Sequence, residues 1–121
     1  MNLIENIVDE FPELNSEMEL AEDWEIFYKM ERIAQMLNNF IKEKEVIKVK
    51  KCFSIFEKHL TDGVSEKMLN SINVSFLEPI ILTNSDRNFK WALSNMKTQL
   101  KTMCLEYEKY WNDLVELSKQ K

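Results

Sequence analysis

His59 is the chain's one histidine, so proton-transfer or nucleophilic chemistry would have to be built around it. Cys52 and Ser54 supply a thiol and a hydroxyl on its own helical stretch. Neither stands three or four residues away, the separation that makes side chains neighbours on a helix. His59 falls instead in the last turn before Gly63, where a partly protonated imidazole suits the negative end of a helix. Metal ligation needs Cys, His or carboxylates clustered at fixed spacing. Cys52 and Cys104 are isolated, Glu106 and Glu108 point to different faces, and no Glu-x-x-His pair exists. One glycine in the whole chain is too few for a phosphate-cradling loop. These residues predict a non-enzyme with no catalytic residues, no metal and no cofactor.

Binding chemistry is better represented. Lys42, Lys44, Lys48, Lys50, Lys51 and Lys58 surround one stretch, but Glu43, Glu45 and Glu57 interrupt it, and Arg32 and Arg87 are the chain's two arginines. That pattern is a solvated lysine face rather than a nucleic-acid interface. The acids are distributed differently. Residues 1–25 hold nine acids and no Lys or Arg, while residues 26–121 hold 12 acids against 16 bases. A segment of net −9 on a chain of net −5 is a steering surface for a basic partner. The candidate partner-binding residues are Glu13, Glu17, Glu19, Glu22, Asp23 and Glu25, with Trp24 as an aromatic anchor among them.

Helices must position these groups. One Gly and two Pro leave little material for the tight turns of a strand-rich fold. Residues 2–14 carry Leu3, Ile4, Ile7, Val8, Phe11 and Leu14 at helical spacing, with Phe11-Pro12 forming a corner. Ser16 and Glu19 have the spacing of a capping box. A second helix over about 23–42 has Ile26, Met30, Ile33, Leu37 and Phe40 on one face; Trp24, Phe27 and Tyr28 widen it. Asn38-Asn39 argue for an earlier end. A third, over about 45–60, has Val46, Val49, Phe53, Phe56 and Leu60. Gly63 suits a left-handed helix stop. A fourth, over about 64–78, can be capped by Ser65 or Asp62 and should kink or end at Pro79. The longest stripe is Phe89, Leu93, Met96, Leu100, Met103, Tyr107, Tyr110, Leu114 and Leu117, four heptads from Asp86 to Leu117. The wide apolar faces elsewhere supply partners for it within one chain, so it reads as a central or closing helix.

The fold class expected is all-α, a single domain over 1–121 with four to six helices, as HEAT-like hairpins or a compact bundle. No apolar run is long enough to span a bilayer, and Met1 to Glu10 has acids but no bases, unlike a signal peptide. Cys52 and Cys104 read as reduced, half-buried thiols of a cytoplasmic protein.

Two short segments extend this reading. Phe11-Pro12-Glu13-Leu14 and Val74-Ser75-Phe76-Leu77-Glu78-Pro79 resemble the Phe-Pro-x-Leu and Val-Ser-x-Leu-Glu-Pro motifs of a family of small uncharacterised bacterial proteins. Members have about this length, so the resemblance covers nearly the whole chain. It implies an all-helical, HEAT-like fold and an immunity or antitoxin role, and it supplies no catalytic residues. The family often breaks its penultimate helix with a Gly-Pro-like pair. Ser94 to Thr98 contains neither residue, which leaves 86–117 open as one helix or two. The function expected is non-catalytic binding of a basic protein partner, such as a toxin domain, through the acidic surface. No nucleic-acid or membrane partner is expected. The alternative is a self-associating structural or adaptor module, with a monomer favoured over a homodimer.

Overall fold

The computed structural model describes residues 2–19 and 25–119, without the side chains of Glu17 and Glu19. Helix α1, Leu3–Glu10, is started by a reciprocal cap. The Asn2 amide nitrogen of the backbone donates to Glu5 Oε1, and the Glu5 N–H returns a bond to Asn2 Oδ1. Phe11 and Leu14 turn inward on either side of a 3-10 turn at Pro12–Leu14, and α2, Asn15–Glu19, follows without a gap. Ser16 therefore lies inside a helix and does not cap one, because the turn at Pro12 has already started the winding.

Helices α3, Ile26–Lys42, and α4, Val46–Asp62, are joined by three residues. Lys44 adopts a positive φ of 55° there. The N–H of Lys44 donates to the Ile41 carbonyl and that of Glu45 to the Phe40 carbonyl, which is the Schellman pattern, with Lys where Gly is usual. Asn38-Asn39 do not end α3 early. Asn38 Oδ1 accepts from Asn84 Nδ2 at 2.8 Å, a tertiary bond that offsets its weak helix propensity. At the end of α4, Gly63 takes φ +100° and its N–H reaches the His59 carbonyl.

Ser65 caps α5, Glu66–Ser71, by accepting from the Met68 N–H. The chain then widens into a π-helical segment, Ile72–Leu77, and continues as α6, Glu78–Thr83. Pro79 thus does not end the helix. The Glu78 N–H bonds back five residues to the Asn73 carbonyl, and the widened turn gives the following proline ring room it would lack in a regular helix. Ser85 caps α7, Asp86–Ser94; Asn95 to Lys97 break the winding; α8, Thr98–Lys119, follows. The C-terminal stripe is therefore carried on two helices.

Among the described residues all regular structure is helical, and one core joins α1, α3, α4, the π segment, α6, α7 and α8. The π segment lies at its centre. Ile72, Ser75, Phe76 and Leu77 are all buried there, facing Met30, Ile33, Leu37 and Ile41 of α3 and Phe53 and Phe56 of α4. The fold is an all-α single domain.

Candidate protein-binding surfaces

The residues that could start chemistry are tied into the structure. Asn6 Nδ2 of α1 donates to His59 Nε2 at 2.7 Å, which needs that nitrogen unprotonated. Partial burial lowers the His59 pKa from its ordinary 6.5, and Lys58 beside it acts the same way. The Asn6 bond and the burial both favour the neutral imidazole, against the partial charge that its position near a helix end suggested. The stability consequence follows by linkage. A lowered folded-state pKa gives stability that is complete above about pH 6.5 and is lost as pH falls through the folded value. Urea unfolding at pH 7 and pH 5 should show a drop that H59Q, which keeps an acceptor for Asn6, makes shallower. The effect should be a fraction of a kcal/mol, since much of the ring stays in water.

Cys52 and Cys104 are both free and fully buried rather than half-buried. Burial pushes the Cys104 thiol up to about 12 and Cys52 further, so neither offers a thiolate at neutral pH. Among the described residues no three His, Cys, Asp or Glu side chains converge as metal ligands, and no helix is long and apolar enough to cross a membrane. Several lysines have partners within the fold. Lys51 pairs with Glu10 at 3.1 Å, Lys48 with Glu45 at 3.4 Å, and Lys44 bonds Asn88 and lies 4.9 Å from the Trp91 ring.

The acidic quarter is placed in part. Glu13 is exposed in the 3-10 turn, and Glu25 is half-buried as the residue before α3. Glu22, Asp23 and Trp24 lie outside the described residues, as do the side chains of Glu17 and Glu19. Glu10 is spent on Lys51 and Glu5 on the α1 cap. Asp9 and Glu13 remain as exposed acids. Beside them opens a cleft of about 500 Å³, walled by Ile4, Val8, Pro12 and Met18, with Glu5, Asp9 and Lys29 among its polar lining. Ile4 and Val8 are among the apolar residues at helical spacing in 2–14 and pack against the rim of the core. They are half-buried because they lie one residue off the inward Leu3–Ile7 line, and that offset was the available signal.

The second surface is the end of α8. Leu100 and Cys104 are buried, but Tyr110 is 55% exposed, Leu114 41% and Leu117 58%. The stripe therefore does not close the core along its whole length. Glu57 of α4 accepts from the Gln99 and Leu100 N–H groups and fixes where α8 begins. At 1.5 Å per residue α8 is about 33 Å long, and from Lys109 to Lys119 every residue except the half-buried Trp111 is exposed. The last three turns overshoot. Tyr107 stands at the edge, half-buried beside Glu78; burial first, then that carboxylate, raises its pKa. Tyr110 packs on Tyr107 with ring centroids 5.6 Å apart and faces outward.

A family model described as a domain of unknown function (DUF7674) matches residues 4–112. No curated protein and no solved structure matches the chain.

Proposed function

The chain thus belongs to the DUF7674 family, and from that premise we propose that it is a non-catalytic binding protein that takes a basic protein partner on its acidic N-terminal side. The observation that carries this reading is the cleft walled by Ile4, Val8, Pro12 and Met18, with Glu5 and Asp9 on it and Glu13 nearby. An apolar wall edged by carboxylates suits a segment that mixes apolar residues with Lys or Arg. An immunity or antitoxin role is the finer form of the proposal, with the α3–α4 pair as one hairpin of a HEAT-like arrangement. Absence of catalysis is supported by the neutral, Asn6-bound His59 and by the two buried thiols. Those free thiols also suit the reducing cytoplasm. The lysine partners Glu10, Glu45 and Asn88 support the view that the basic face serves the fold rather than nucleic acid.

D9K/E13K tests the proposal. The wild-type protein should retain a basic protein from an extract of its source cell. The reversed variant should lose about tenfold in association rate for that protein, with a weaker salt dependence. Equal rates for both proteins would refute the acidic surface. A second reading, self-association through α8, has the exposed Tyr110, Leu114 and Leu117 in its favour.

A further inference from the structure

Over Tyr107, Tyr110, Leu114 and Leu117 the overshooting end of α8 keeps the alternating steps of three and four residues that a partner helix reads as a seam. Trp111 and Val115 widen it on one side. One edge of the seam is acidic. Glu106 and Asp113 immediately precede Tyr107 and Leu114 and so line it. Between residues 102 and 118 there are four acids, Glu106, Glu108, Asp113 and Glu116, against one base, Lys109. Glu108 and Lys109 both fall toward the helix's opposite face, about 140° and about 120° from the middle of the stripe. Glu78, whose carboxylate acts on Tyr107, adds a further acid where the seam meets the body.

We infer that the end of α8 is a docking seam for an amphipathic helix of a partner protein, one with an apolar stripe flanked by Lys or Arg. This deepens the proposed function, on which it rests, by adding a second surface and stating the form of the partner element. Flanking charges choose partners in helix pairing, and here they select against a second copy of this chain. Antiparallel pairing about Leu114 sets the two Asp113 carboxylates beside each other. Parallel pairing points both bodies into the same space, because each body covers the stripe side of its own α8 through Leu100 and Cys104. A helix from another protein meets neither obstacle, and a basic flank on it faces Glu106 and Asp113.

The test uses the whole chain and three synthetic peptides of about three heptads. One has Leu at the seam positions and Lys on the flanks; one carries Glu on the flanks; one is a scramble of the Lys peptide. Fluorescence anisotropy should show the Lys-flanked peptide binding at least about tenfold more tightly than the other two. L114E and, separately, L117E should each remove that binding while the melting temperature stays unchanged, since both side chains project from the fold. D9K/E13K should leave it intact. Equal binding of the ordered and scrambled Lys peptides would overturn the inference, as would unchanged binding by both seam variants. A wild-type dimer in sedimentation that L114E dissolves would replace the partner helix with a second copy. If the peptide fails to bind while D9K/E13K still loses the basic partner, the seam is wrong and the proposed function stands. If D9K/E13K loses nothing and the peptide binds, only the seam survives.

Discussion

Replacing Phe76 with Ala should lower the unfolding free energy by about 3–5 kcal/mol. The side chain is fully buried in the π segment. Its ring stacks on Phe56 with centroids 4.0 Å apart and planes 18° apart, and it meets Phe53 edge-on at 6.5 Å. Truncation removes the ring's own transfer free energy and both aromatic contacts, each worth about 0.5–1.5 kcal/mol beyond burial. It also leaves a cavity that the surroundings cannot readily fill, because α3 packs along the π segment and the Phe53 and Phe56 rings of α4 close on Phe76. Urea titration should show a lower midpoint with the slope m unchanged. A loss below about 1 kcal/mol would mean that the segment rewinds and collapses around the smaller side chain.

The same segment marks where sequence reading stops. Helices α3 and α4 were legible because Ile33, Leu37 and Ile41, and Val49, Phe53 and Phe56, recur at a period that only a helix buries together. Phe11 and Leu14 were legible as a corner, Gly63 as a stop and Ser65 as a cap, each through local chemistry. Pro79 misled because its rule concerns a regular helix. Whether the preceding turn widens depends on what Phe76 and Leu77 pack against, which no local window contains. Asn38 misled for a similar reason, since its partner Asn84 lies 46 positions away. At Lys44 a left-handed turn occurs at a residue type that does not announce one, and the side-chain contacts with Asn88 and Trp91 are again distant in sequence. The α8 stripe was read correctly as a helical face, but periodicity measures what a face could bury and not how much cover exists. The acidic surface was legible as composition. Its cleft was not, because it depends on how α1, α2 and α3 pack together.

Glu57→Ala should cost about 1–3 kcal/mol and should act on α8 first. The two oxygens of Glu57 accept from successive N–H groups at the start of α8, Oε2 from Gln99 and Oε1 from Leu100, each at 3.0 Å. These are donors that a helix leaves without partners in its own first turn, and the carboxylate also meets the positive end of the helix. Alanine strands both donors, the Gln99 N–H in an exposed position and the Leu100 N–H in a part-buried one next to the fully buried Leu100 side chain. Glutamine offers one oxygen and turns an NH₂ toward the other donor, so E57Q should fall between alanine and wild type. In thermal unfolding the order wild type, E57Q, E57A should appear as successive drops of a few degrees. An E57Q as stable as wild type would remove the charge and the second acceptor from the account, and an unaffected E57A would mean that water serves those N–H groups equally well. Amide exchange separates this loss from a general one. Protection should fall first at Gln99 and Leu100 and along α8, while α3 and the π segment keep theirs. That pattern would locate in α4 the anchor that sets where α8 starts, and hence how much of its apolar stripe runs past the body of the fold.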